Sequence, residues 1–254
     1  MNSNLLEKRA EQFRQSIGLS SSDSLNLESL LYKLNVLTVF RPLNSLFSGM
    51  AIKVNGGDES KRFMLVNSGH PVGKQKFTIC HELYHLFIQE NFTSQVCTTG
   101  LFDRQTNPDE KYADIFASFF LLPTAGLISL IPDEELSKNK ISINTVLKVE
   151  HYFGCSRAAL LYRLKQMEII DRNGYNHLCV DVIKSAIQYG YNTSLYTPTE
   201  ERKVIGDYGF IAKQLFDMEV ISESHYYSYL LDLGFSPEQL ENLEAQDEPS
   251  NNPY

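Results

Sequence analysis

The sequence predicts an α+β fold that is mainly helical. Apolar residues recur at helical spacing through most of its 254 residues. Three short β-like runs fall together in the first third, and helices follow those runs rather than alternating with them. That order sets a small sheet beside a helical body.

Residues 4–17 place Leu5, Leu6, Ala10, Phe13 and Ile17 near one helical face, and Asp23–Lys33 gives a second apolar-periodic run, so two helices open the chain. Val36–Phe40, Met50–Val54 and Phe63–Val66 read as strands. Pro42, Gly49 and the polar Asn55–Ser60 stretch separate them, which is hairpin turn chemistry. The pattern turns helical from Gln75 to Glu90, and a polar loop of about 18 residues follows. Pro108–Leu122 is the next helix, with Asp109 and Glu110 in a first turn whose dipole favours acids and Pro123 as its stop.

Ile141–Phe153, Gly154-Cys155-Ser156 and Arg157–Met167 read as helix, tight turn and helix, with Ser156 as N-cap. Helical periodicity resumes at Val180–Tyr189, Thr199–Met218 and Ser222–Leu233, and 241–254 is a polar, acidic, loose tail. The expected organisation is a first domain over 1–137, a helix-turn-helix-like segment over 138–172, and a helical C-terminal region over 173–254.

The net charge of −8 works against nucleic acid and anionic lipid as partners of the whole molecule. Within Val146–Lys165, Arg157, Arg163 and Lys165 could face DNA, but Val149, Phe153, Leu160, Leu161 and Leu164 read as core. A trihelical support explains the same pattern, so DNA binding is disfavoured. Cys80, Cys97, Cys155 and Cys179 stand singly with no CxxC pair, which points to a reducing, cytoplasmic setting. The N-terminus lacks the apolar segment of a signal peptide. The longest apolar run, Ile115–Leu122, is far short of the roughly 20 residues of a membrane span.

The chemistry concentrates in His81-Glu82-Leu83-Tyr84-His85. Histidines at i and i+4 share a helical face and can grip one metal ion, with Glu82 beside it. Independent placement of these residue types would give such a match in about one chain in a hundred of this composition, so chance explains it poorly. A catalytic zinc site commonly takes three protein ligands and keeps one position for water, so a third ligand is required. Glu110 and Asp114 are spaced i, i+4 on the face opposite Phe116, Phe119 and Phe120. The preferred assignment makes Glu110 the third ligand and Asp114 the acceptor for the free ring N–H of His81 or His85, with Asp109 as the competing ligand. An N,N,O set suits one Zn²⁺ per chain best and also admits Mn²⁺. Cys80, among Phe77, Ile79 and Leu83, reads as core rather than as a ligand.

These residues resemble the ImmA/IrrE metallopeptidases, whose pattern is an FTxAHELxH-like helix followed by ExxA[ND]xFAxxLLxP. Here Phe77-Thr78-Ile79-Cys80-His81-Glu82-Leu83-Tyr84-His85 precedes Glu110-Lys111-Tyr112-Ala113-Asp114-Ile115-Phe116-Ala117-Ser118-Phe119-Phe120-Leu121-Leu122-Pro123, and the 25-residue step from His85 to Glu110 suits the family. Phe63-Met64-Leu65-Val66-Asn67-Ser68 looks like the family strand that ends in Asn before the catalytic helix. Tyr84 stands where the family usually has Gly, and Cys80 where it usually has Ala. The resemblance spans about residues 5–170 and implies a zincin-like peptidase domain in which Glu82 is the catalytic base. It also implies a cytoplasmic zinc endopeptidase whose protein substrate is a helix-turn-helix repressor, often in a stress response or on a mobile element. The rival expectation is a non-catalytic metal protein that sequesters a repressor or acts in a toxin–antitoxin pair. The donor to the tetrahedral oxyanion is open among Tyr84, Tyr112, His70 and His151.

Overall fold

A computed structural model describes residues 2–55, 60–90, 92, 94–97 and 108–240, with the backbone alone for 94–97. The expected acidic tail, 241–254, lies outside the described residues.

Helix α1 (Ser3–Ser16) starts where the Asn2 side chain accepts from the Leu5 N–H, and α2 (Leu27–Lys33) where Asn26 accepts from Ser29. Strands β1 (Val36–Arg41), β2 (Gly49–Val54) and β3 (Lys61–Asn67) follow, then α3 (Val72–Phe87), β4 (Ser94–Cys97), α4 (Pro108–Leu121) and α5 (Thr124–Leu130). Pro123 separates α4 from α5. Helices α6 (Ile143–Phe153) and α7 (Arg157–Gln166) are joined by Gly154 in the left-handed region (φ +66°), and Ser156 caps α7 as expected. The chain continues through α8 (Arg172–Leu178), α9 (Val182–Gln188), β5 (Lys203–Ile205), α10 (Tyr208–Asp217) and α11 (Glu223–Asp232).

The α+β, mainly helical architecture is the one expected, and the sheet is larger than the sequence predicts. Among the described residues it has five strands in the order β4-β2-β3-β1-β5. The turn chemistry between β2 and β3 does build an antiparallel hairpin, whereas β1 pairs with β3 in parallel, Val36 opposite Arg62 through Arg41 opposite Asn67. The chain leaves β1, crosses to the far side of β3, and returns. Strand β4 lies inside the stretch expected to be loop and pairs with β2. The expected Thr199–Met218 helix is instead β5, antiparallel to β1, followed by α10. Helices α5 and α8 were not expected.

Helix α3 is the centre of the molecule: one side meets β2 and β3, another meets α4, and α1 closes over α4. Phe116 and Phe120 stack on each other, and Phe13 packs tilted against both where α1 and α4 cross. Buried Arg14 extends from the same face of α1 and donates to the carbonyls of Ser20, Asp23 and Phe120, so the loop after α1 is fastened without an unpaired polar group. A segment from the C-terminal half straps the entry of α3: Val72 N–H donates to Thr197, Glu200 N–H to Ser68, and Ser68 Oγ to the Glu201 carbonyl. Among the described residues no single helix is long and apolar enough to cross a membrane.

Arg157 and Arg163 face inward, each 3% exposed. Arg157 pairs with Glu150, and Arg163 donates to the Leu122 carbonyl and Thr124 Oγ1 while lying over the Phe119 ring. Only Lys165 of the three basic residues noted in this segment is exposed.

Candidate metal centre

His81 and His85 lie one helical turn apart on α3, buried to 1% and 0% exposure, with their Nε2 atoms 3.2 Å apart. Glu110, in the first turn of α4, reaches between them: Oε2 is 3.2 Å from His81 Nε2 and Oε1 is 3.4 Å from His85 Nε2. One donor atom from each residue falls within 4.8 Å of the others, so the three could hold a single ion. Burial opposes the charge on Glu110, but hydrogen bonds from the two imidazoles and their charge win, holding its carboxyl well below the usual carboxylate range.

The outward ring nitrogens have acceptors. Asp114 Oδ1 is 3.0 Å from His81 Nδ1, one of the two ring nitrogens considered for it. His85 Nδ1 faces Gln89 Oε1, and Gln89 Nε2 donates to Asp109 Oδ2 at 3.0 Å. Acceptors at each Nδ1 favour the proton there, so that each Nε2 would be left to turn its lone pair to a cation in place of the hydrogen bond it makes to Glu110. Gln89 was missed by sequence reasoning, although its i+4 spacing from His85 is the same signal that singled out the histidine pair. Asp109, the competing ligand, binds Gln89 at the outer side of the cluster.

Glu82 is fully buried and turned towards β2. Gly49, the first residue of β2, makes that approach feasible: a Cβ there would stand 2.6 Å from Thr78 Cγ2, 2.8 Å from Glu82 Oε1 and 3.3 Å from the Leu65 carbonyl. Asn67 holds the loop that delivers Gly49. Its Oδ1 accepts from the N–H groups of Leu43 and Gly69, its Nδ2 donates to the carbonyls of Leu43, Asn44 and Phe47, and its backbone N–H donates to Ser48. Both residues are placed by long-range packing that residue spacing does not encode.

Of the oxyanion candidates, Tyr84 is 1% exposed, its ring edge-on to His85 and packed on Phe116, with burial and then Asp109 pushing its hydroxyl up to about 12. His70 is bound to the Ser45 carbonyl at the entry of α3, and His151 is bound to the Tyr196 hydroxyl and stacked on Tyr191. Tyr112 sits between Glu110 and Asp114 on α4, partly buried against the core. Cys80 is fully buried, and burial pushes its thiol up to about 12, so it sits as a protonated core side chain.

Residues 33–165, just over half of the chain, match the Peptidase_M78 family model, described as an IrrE N-terminal-like domain. The match contains α3, α4 and every residue of the cluster. It leaves out α1, β5 and the helices after α7. No curated protein matches the chain.

Proposed function

Because the chain belongs to the Peptidase_M78 family, with its IrrE N-terminal-like domain and metallopeptidase-type activity, we propose that it is a zinc-dependent endopeptidase that cuts an intracellular protein, a DNA-binding transcriptional repressor. The observation that carries the reading is the convergence of His81 Nε2, His85 Nε2 and Glu110 on one point with Glu82 on the same helix. The donor set fits a divalent ion. Two imidazole nitrogens and a carboxylate oxygen lie within 4.8 Å of one another, while the opposite ring nitrogens face Asp114 and Gln89.

His81, His85 and Glu110 would hold the ion, and N,N,O donors suit zinc. The ion supplies Lewis acidity, which acidifies water and polarises a peptide carbonyl. The remaining work falls to the chain's own residues. The Glu82 carboxylate takes a proton from the attacking water and returns it to the nitrogen of the leaving amine. Its burial keeps bulk water from competing for that proton, and Gly49 fixes where the carboxylate stands. Asp114 and Gln89 keep the imidazoles in the ligating tautomer. The domain division at 137 and 172 follows the same reading, with the site carried by the first segment and α6 and α7 acting as support.

Metal content and cleavage together test the proposal. Wild type dialysed against limiting zinc should bind one ion per chain, and Glu110→Ala and His85→Ala should lose it. Glu82→Gln should keep the metal and lose cleavage of a co-expressed repressor. Metal binding with function intact in Glu82→Gln would overturn the enzyme reading in favour of a sequestering protein.

A further inference from the structure

The charge of this chain is unevenly distributed. Residues 206–254 contain ten acidic side chains and one lysine, a net −9, against −8 for the whole molecule. The first 205 residues are therefore close to neutral, and the acidity belongs to the C-terminal helices. Even the single lysine, Lys213, is paired with Asp217 one turn along α10.

The same region carries an exposed apolar stripe. Helices α10 and α11 pack on each other through the stacked rings of Phe216 and Tyr226 and the edge contact of Tyr208 with Tyr229. The hairpin is fastened to the body where Arg41 donates to the Asp232 carbonyl and Gly234 lies against the Arg202 carbonyl. Away from that packing, Phe210 and Met218 are 66% and 70% exposed, with Ile211 beside Met218 on the helical wheel and Val220 two residues beyond it in the chain. Asp217, at i+7 from Phe210, and Asp207, at i−4 from Ile211, border the stripe. Exposed apolar surface with a net negative rim is the anatomy of an interface.

Charge selects the occupant. Residues 241–254 carry four acids and no base, so like-charge repulsion disfavours the chain's own tail, and a second copy would oppose two surfaces of the same sign. Nucleic acid and anionic lipid are repelled for the same reason. We propose that the α10–α11 hairpin is a docking surface for a basic protein face bearing exposed apolar side chains, and that this face belongs to the protein cut at the metal centre. A protein that binds nucleic acid has such a basic face, and the negative charge that repels nucleic acid attracts that face. The second half of the proposal rests on the peptidase reading; the first does not.

The probe is a synthetic amphipathic helix with lysines on one side and leucines on the other. Its binding to the Glu82→Gln chain is followed by fluorescence anisotropy, beside a Lys/Ser peptide of equal charge and a Glu/Leu peptide. The Lys/Leu peptide should bind with an affinity that falls as salt rises. Phe210→Ser with Met218→Ser should weaken it about tenfold, a loss of about 1.4 kcal/mol. Asp207→Asn with Asp217→Asn should flatten the salt dependence, and both control peptides should bind weakly. All four positions are on the surface, and circular dichroism checks that the fold is kept. Equal binding by the variants or by the Lys/Ser peptide would overturn the docking surface. Dimerisation abolished by Phe210→Ser would assign the stripe to a second copy instead. If the Lys/Leu peptide binds as described but no basic protein is cut by wild type, the peptidase reading fails and the docking surface stands. If a basic protein is cut and Phe210→Ser leaves its KM unchanged, the link between the two sites fails.

Discussion

Gly49 and Glu82 are in such close approach that a methyl group on Gly49 would lie 2.8 Å from the carboxylate oxygen. The same methyl would meet Cγ2 of Thr78 at 2.6 Å, and Thr78 is β-branched on a helix, where its χ1 has little freedom to move aside. Gly49→Ala therefore displaces the proposed base or lifts β2 off α3. Cleavage should drop by at least about tenfold, since a misplacement of about 1 Å can cost a hundredfold, while bound metal stays at the wild-type level. Loss of metal in this variant would mean that β2 supports the ligands rather than Glu82.

Gln89 joins the metal cluster to the start of α4, with one end of its amide facing His85 Nδ1 and the other donating to Asp109. Gln89→Leu removes the group that sets the His85 tautomer without touching a ligand atom. Metal affinity, measured by competition with a chromophoric chelator, should fall by about 10- to 100-fold, and Asp114→Leu should do the same through His81. Unchanged affinity in both variants would show that the three ligand atoms suffice.

The parts of the molecule read from the sequence are those set by local periodicity. His81 and His85 repeat at i+4, Glu110 and Asp114 repeat at i+4, and Ser156 precedes an apolar-periodic run, so helix, face and cap are all written within a few residues of one another. Gly49 and Asn67 show where that signal stops. Their roles arise from the crossing of β2 over α3 and from a loop folded onto the end of β3. The β-branched and aromatic run Val36–Phe40 marks a strand but not its partner, which is why parallel pairing of β1 with β3 is absent from the sequence reading. Lys203–Ile205 is three residues long, too short for a period of two to register, and is made a strand by the edge of β1.

Two histidines outside the metal cluster give the fold a pH dependence. Burial depresses His70, with Lys74 adding to the effect and the Ser45 carbonyl opposing it, and burial followed by Arg157 depresses His151. Both folded-state values lie below the ordinary value near 6.5. As pH falls through that value, the unfolded chain takes up protons that the folded chain does not, so their effect is to leave stability intact above about 6.5 and reduce it progressively below. Glu110 acts in the same sense only at lower pH, because its contribution is lost below the ordinary carboxylate range. The melting temperature of metal-free wild type should fall more between about pH 7 and about pH 5 than that of the His70→Gln, His151→Phe double variant. Parallel curves would place the sensitivity elsewhere.

Glu150 and Arg157 test what the α6–α7 segment is for. Glu150 is fully buried and Arg157 3% exposed. The guanidinium binds both carboxylate oxygens and also donates to the Leu178 carbonyl and Ser185, while Tyr196 from the strap donates to Glu150 at 2.7 Å. One ion pair thus ties α6, α7, α8, α9 and the segment that leads into β5. Burial raises the Glu150 carboxyl even against Arg157 and Tyr196, so removing the arginine leaves a charge that the site cannot solvate. Arg157→Ala should cost about 3–5 kcal/mol in urea unfolding. Replacing both partners by leucine should recover most of that loss, because the apolar pair leaves neither charge stranded. If Arg157→Ala were instead neutral to stability, the guanidinium would not be the tie that its contacts describe.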